Sequence, residues 1–490
     1  MIIDDIIGFL SPRAGFKRIQ YRRALNVAKE AKRKFEGATK GRRTEGWKTY
    51  STSANAENGP ALSILRDRSR DLVRNNPYAA RGIQVIASNV IGKGIIPAIK
   101  TNNQTNESLQ NTWKAWGEST ACDYDGKNDF YGLQRLIMRA VSESGECFLR
   151  LRRTTSDILP AQLQLLESDF LPVYGTYSDV AKGNAVIQGV EFDSNGKRVA
   201  YHFYQDHPGN ASQLSNLRSS FYQTVRIPAE EILHIYRQDR PGQIRGIPWL
   251  APTMLRLRDF DEFEDAQLVR QKIAACFSVF IHDLEGQSDL DETEEEELGS
   301  KVQPGIIEML PPGKDVKFAN PPGVENYNEY TSVLLHSIAV GLGISYEALT
   351  GNLREVNFSS ARMGWLEFQR NIDAWRSHIV SPQLNKPVFD WFLEGCLLVG
   401  LNTNNASAVW TAPRREMIDP TKEVPAKIKS VRAGFETLSD IISQNGKHPL
   451  DHLNEIKEDN NIIDSLELKL DSDPRNVTLT GILQDEKVEE

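Results

Sequence analysis

Five apolar residues, Trp365, Phe368, Ile372, Trp375 and Ile379, recur at intervals of three, four, three and four. Only an α-helix, repeating about every 3.6 residues, brings such positions onto one side. The stripe therefore demands a long helix with one flank buried, and the remaining chain must supply a surface for that flank. Pro382 and Pro387 follow. Each lacks the amide hydrogen a helix interior uses, so the helix is expected to kink or break there. Leu384, Phe389, Trp391 and Phe392 carry the apolar character past them. Asp419-Pro420-Thr421 then places an N-cap and a first-turn proline at the start of the C-terminal helices.

Upstream the period changes. From Ala61, Leu62, Leu65, Leu72 and Val73 fall on one helical face, with Arg66, Asp67, Arg68 and Arg70 assigned to others. Asn75-Asn76-Pro77 ends that helix, a second covers Tyr78 to Ile91, and Gly92-Lys93-Gly94 closes it. Between 120 and 250 the pattern alternates. Val190 and Phe192, then Val199, Tyr201 and Phe203, flank Asp193-Ser194-Asn195-Gly196, which is a hairpin with its turn residues in place. Cys147 to Arg152 and Ile232 to Tyr236 also read as strands. A helix is expected from about Thr253 to Ile281, charged in its first half and apolar in its second. A short β-like piece, Gly305 to Leu310, and a helix from Tyr327 to Val340 follow. A Gly-rich irregular segment then reaches Ser360, with Ser359 or Ser360 capping the long helix. The fold class is α+β.

Charge is strongly segregated. Arg13 to Lys48 holds thirteen basic and three acidic residues, a net of +10. Asp283 to Glu297 holds nine acids and no base, and Asp451 to the end nets −8, although the whole chain is also only −8. Segregation of this kind marks different partners for different parts, or solvated faces and loose ends. The length, 490 residues, suits about three domains. A hydrophobic share of 40% excludes a wholly disordered chain. No apolar run is long enough to span a membrane. The acidic start, Met1-Ile2-Ile3-Asp4-Asp5, is unlike a secretory signal, so a cytoplasmic setting is expected. Cys122, Cys147, Cys276 and Cys396 lie too far apart in sequence for a zinc ribbon or a disulfide scaffold.

Signatures of catalysis are missing. No Gly-Lys pair is followed by Ser or Thr, so no phosphate-binding loop forms, and neither G-x-S-x-G nor H-E-x-x-H occurs. His448 and His452 are four apart, but Pro449 favours His448 as a turn residue ahead of a helix rather than as a ligand. No catalytic residue, metal or cofactor is expected, and the chain is not expected to be an enzyme.

Two segments stand out instead. Arg240-Pro241-Gly242-Gln243-Ile244-Arg245-Gly246-Ile247-Pro248 is a basic turn after a strand. Pro-Gly presets its bend, and the arginines suit carboxylates or phosphates; an ordinary surface turn is the plainer alternative. Gly351 to Arg362 is polar and irregular, and carries Asn352, Arg354 and Asn357 ahead of the long helix. It reads as a helix-capping loop, or as one that touches phosphates in passing.

From near Ser53 to about Asp471 the chain resembles the lambda-type family of tailed-phage portal proteins. The likeness lies in the order and spacing of several stretches: Leu65 to Leu72 with Arg74-Asn75-Asn76-Pro77, Asn89 to Ile95, His234-Ile235-Tyr236 with the Arg240 to Pro248 turn, Asn357 to Arg362, and Asp419 to Glu423. The resemblance implies a ring of about twelve copies at one capsid vertex, with double-stranded DNA entering and leaving through the hole. It implies a portal-type subunit with an arm over 1–60, a mixed α+β wing over 61–250 and helical stem over 251–342 with a small α/β clip near 282–323. A tunnel loop and long kinked wing helix follow over 343–400, then crown helices and an acidic tail over 401–490. Asn352, Arg354 and Asn357 would face DNA, and Arg240, Gln243 and Arg245 would form a subunit or wing–stem corner. Implied partners are further copies of the chain, DNA held transiently and without sequence preference, a separate terminase packaging ATPase, major capsid and scaffold proteins and head–tail connector proteins, with no membrane. The setting would be the virion, with assembly in host cytoplasm. Twelve copies would carry roughly −96, which suits a bore that does not grip phosphates. The competing reading is a sequence-nonspecific DNA-binding protein acting through the basic arm.

Overall fold

The computed structural model describes residues 13, 20–22, 42–47, 49–102, 104–154, 158–174, 177–179, 183–210, 223–275, 279–283, 314–318, 327–354, 358–414, 419–447, 449–468, 470, 473 and 475. It divides into units 1–53 and 54–490. Of the first unit little is described beyond a 3₁₀ turn at Arg42–Thr44. The sequence also allows one helix from Ile19 to Phe35, and that stretch lies almost wholly outside the described residues.

The second unit opens on α1 (Ala54–Asn75), which starts earlier than the sequence suggests. Tertiary bonds hold its first turn despite Pro60: the Asn55 side chain donates to the Gly242 carbonyl at 2.9 Å and accepts from the Ile244 amide at 2.9 Å. Its buried positions run Leu62, Arg66, Ser69, Val73. Arg66 thus lies on the inward face beside Leu62, contrary to expectation, because a buried carboxylate waits there. Asn76 caps α2 (Pro77–Val90), accepting from the Ala79 amide at 2.8 Å, with Pro77 in the first turn. Then come β1 (Ile96–Thr101), β2 (Gln104–Thr105), α3 (Glu107–Gly117), α4 (Phe130–Ser144), β3 (Glu146–Arg152), β4 (Gln162–Glu167), β5 (Tyr177–Asp179), β6 (Asn184–Ile187), β7 (Val190–Phe192), β8 (Arg198–Tyr204), β9 (Thr224–Pro228) and β10 (Ile232–Tyr236). The β7–β8 hairpin forms as expected, with Val190 opposite Tyr201 and Gly196 at φ +79°.

The next helix, α5 (Met254–Ala275), stops short of Ile281. Val279–Asp283 is instead β11, pairing antiparallel with β12 (Lys314–Phe318), as the β-branched and aromatic Val279-Phe280-Ile281 favours. The piece expected at Gly305 to Leu310 lies outside the described residues. The chain continues through α6 (Tyr327–Leu342), α7 (Tyr346–Thr350), α8 (Phe358–Trp375), α9 (Lys386–Leu398), β13 (Ala406–Thr411), α10 (Pro420–Arg432), α11 (Leu438–Gln444) and α12 (Pro449–Ser465). The segment expected to be irregular up to Ser360 therefore contains a helix, α7, capped by Ser345, and Ser359 and Ser360 sit inside α8 rather than capping it. Nor do the prolines stop the long helix. Between α8 and α9 the backbone widens to a π-helix over Arg376–Asn385, holding Pro382, and α9 follows directly, with Pro387 as its second residue. Asp419 caps α10, as expected.

Three larger sheets are antiparallel: β13–β1–β2, β10–β3–β4 and β5–β6–β7–β8–β9. The middle one divides the interior. Cys147, Leu149, Leu163 and Ile235 face the main core, which includes Phe368, Ile372 and Ile379 of the stripe, the aromatic set Trp113, Trp116, Phe130 and Phe392, and α2. Phe148, Leu166 and Ile232 point to the opposite side, against Val190, Tyr201 and Phe203 of the five-stranded sheet. Among the described residues no helix is long and apolar enough to cross a membrane.

Candidate functional site

Glu146 and His234 lie on the side of the middle sheet that carries Phe148, and at the edge of this smaller core stands a charged cluster. Glu146 begins β3 immediately after Gly145, whose φ is +92°. A Cβ on Gly246 would collide with the Gly145 carbonyl, so the Arg240 to Pro248 turn lies directly on the start of β3. From that turn Arg245 points inward and is 1% exposed. Its Nε donates to Glu146 Oε1 at 2.8 Å, and its Nη atoms donate to the carbonyls of Pro172, Ser168, Leu171 and Gln188. The Gly246 amide donates to Glu146 Oε2 at 2.8 Å, and His234 Nε2 lies 2.9 Å from the same oxygen. Arg66 of α1 reaches Glu146 at 3.4 Å and Asp169 at 3.3 Å.

Burial alone would raise the pKa of Glu146, but Arg245, followed by His234, outweighs it and holds the carboxyl well below its ordinary range. His234 moves oppositely. Burial pushes it down to about 4 against the pull of Glu146, so the ring is neutral at pH 7. Its Nδ1 is buried without a hydrogen-bond partner among the described residues. The cluster thus joins α1, β3, β10, the loop at 168–172 and the turn into one buried knot.

The rest of the turn is equally bound. Gln243 is buried, accepting from the amides of Asp239 and Arg240 and donating to the Arg245 carbonyl at 2.8 Å. Arg240 is exposed and pairs with Glu57 at 2.7 Å. Of the three turn residues singled out by sequence, two are therefore internal. The basic pair does not face solvent together, and Arg245 meets a carboxylate of the same chain.

The polar loop stays outside. Gly351 ends α7 at φ +69°, the Asn352 side chain accepts from the Arg354 amide at 3.1 Å, and both Asn352 and Arg354 are exposed. Asn357 lies outside the described residues. Asn352 and Arg354 stand between the end of α7 and the start of α8, in a stretch of which residues 351–354 are described.

Other groups offer little chemistry. Glu167, Asp169 and His207 converge as three possible metal ligands. Arg70 already reaches both carboxylates, at 3.2 and 2.5 Å, so a guanidinium occupies the place a cation would take. Cys122, Cys147 and Cys396 are buried; burial pushes the Cys122 and Cys396 thiols up to about 12 and Cys147 higher, which leaves them protonated and poor nucleophiles. Sequence reasoning missed Glu146, His234 and Asp169. A signal existed: Glu146 opens the apolar Glu146-Cys147-Phe148-Leu149, and His234 sits between Leu233 and Ile235, so both polar side chains needed partners in the interior.

Residues 40–376 match the family model described as phage portal protein, lambda family. The chain is 26% identical over 452 residues to a probable portal protein of Halomonas phage phiHAP-1, covering 87% of this chain and 86% of that protein. It is 23% identical over 461 residues to portal protein B of Escherichia phage lambda, covering 82% and 84% respectively. Among solved structures it is similar to a chain in the neck of a native gene transfer agent particle computed with C12 symmetry, at 16% identity, with 77% of this chain and 93% of that one covered and a TM-score of 0.46.

Proposed function

The chain belongs to the lambda family of phage portal proteins, and from that membership we propose that it forms the ring at one capsid vertex through which double-stranded DNA is packaged and ejected. The match across residues 40–376 carries this reading. In it, residues 61–250 make the wing, α5 and α6 the stem, β11 and β12 part of the clip, α8 through α9 the long wing helix, and α10 to α12 the crown. The ring also presents the docking surface for the terminase ATPase and the head–tail connectors. The exposed Asn352 and Arg354, together with Asn357, would brush the DNA backbone. A net charge of −8 per copy opposes tight phosphate binding, as a sliding duplex requires.

Negative-stain microscopy with native mass spectrometry tests this directly. Annular particles of uniform copy number, with a hole wide enough for a duplex, are expected. A protein that stays single at every concentration, and whose salt-sensitive DNA binding disappears when residues 1–50 are deleted, would favour the basic-arm reading instead.

A further inference from the structure

Two helix faces near the C-terminus are left in solvent by the protomer. On α10, Val424, Ile428 and Val431, followed by Phe435 just past its end, are spaced four, three and four, so they form one stripe. Val424 is 43%, Ile428 44% and Phe435 84% exposed, and no residue of α10 is buried. Lys427 and Arg432 border the stripe on either side. On α12, Ile462 and Leu466, the latter just past its end, share a side and are 56% and 62% exposed. Glu458 and Asp459 lie on that same side one turn earlier and are exposed, while Glu455, a further turn back, is already paired with Lys447 at 3.0 Å.

One face is therefore apolar with a basic rim, the other apolar with an acidic rim. Both remain exposed, so neither covers the other within a chain. Unlike rims select each other and repel their own kind. Two different, mutually complementary faces on one polypeptide are what head-to-tail association of identical copies requires, whereas a two-fold dimer needs one self-complementary face.

We propose that α10 of each copy packs along α12 of its neighbour, so that the C-terminal helices form a continuous belt of alternating basic and acidic partners around the ring. This rests on the ring reading above and adds which surfaces meet.

The test uses two charge-reversed full-length chains, Lys427→Glu/Arg432→Glu and Glu458→Lys/Asp459→Lys, with copy number followed by native mass spectrometry over a concentration series. Each alone should raise the concentration for half-assembly by about tenfold or more, since like charges then face each other at every contact. An equimolar mixture should restore assembly, because each reversed face now meets the other in alternation, and the particles should contain equal numbers of the two chains. Phe435→Ser, which leaves the charges intact, should weaken assembly similarly. Unchanged thermal midpoints of the separate chains check that they fold. Reversed chains that assemble like the parent overturn the pairing, and so does a mixture no better than its components, which would assign the faces to another partner or to contacts within a chain. Parent chains that never assemble would remove the ring reading as well; parent rings beside unaffected variants would remove only the pairing.

Discussion

Replacing Arg245 with alanine would strip the buried knot of its central cation. Glu146 would keep the Gly246 amide, His234 and the longer Arg66 contact, but lose the 2.8 Å bond that compensates its burial most closely. Removing one partner of a buried ion pair costs about 3–5 kcal/mol. The Pro172, Ser168, Leu171 and Gln188 carbonyls would each lose a donor as well, at about 1 kcal/mol apiece where water does not replace it. Against a total stability of about 5–15 kcal/mol, the subunit should lose much of its margin. Urea unfolding of the full chain, followed by circular dichroism, should show a midpoint lowered by an amount equivalent to at least 3 kcal/mol. Arg240→Ala, five residues away on the same turn, should cost about 0–1 kcal/mol, since its bond to Glu57 is exposed. Loss of ring assembly in the Arg245 variant would then follow from loss of the fold. A midpoint within about 0.5 kcal/mol of the parent would refute the clamp, since that is the range of ordinary surface changes.

Further expectations concern the same knot and the surface. His234 has a folded pKa lowered to about 4 from 6.5, so the native state prefers the neutral ring. Stability should be full above pH 6.5 and decline as pH falls towards 4; His234→Gln should flatten that decline in pH-dependent melting curves. Glu146 is likewise depressed, so its contribution is present above the ordinary glutamate range and disappears below it, steepening the loss under acid. Arg354→Ala should reduce DNA packaged per capsid more than it reduces ring yield, a ratio readable from nuclease-protected DNA against mass-spectrometric ring counts. In the native protein the thiols of Cys122, Cys147 and Cys396 should resist an aromatic disulfide reagent that labels them fully in guanidinium, as absorbance would report.

Local grammar made much of this molecule legible. The Asn76-Pro77 boundary, the Asn195-Gly196 hairpin and the Asp419-Pro420 start depend on backbone chemistry within a few residues, and all three form as expected. What escaped depends on partners distant in sequence. Arg66 faces inward because Glu146 is 80 residues away, and α1 begins at Ala54 because Asn55 bonds residues near 243. Pro382 is absorbed by π-helical turns, and that segment is tied in by Gln383, which accepts from the Tyr236 amide, and Asn385, which accepts from Gln134. The loop residues Asn352 and Arg354 were visible as a polar break, whereas the burial of Gln243 and Arg245 was not, because a basic turn reads the same whether its arginine points out or in.

The pairing of β1 with β13 sets a timetable for synthesis. Ile96 lies opposite Thr411, so a strand made early finds its mate only after roughly 300 more residues have left the ribosome. At about 5–20 residues per second that is a wait on the order of 15–60 s. During it β1 has only the two-residue β2 beside it, and its other edge is open to a nascent sister chain on the same message. Polysome spacing and translation speed therefore bear on how much of this protein reaches its native register.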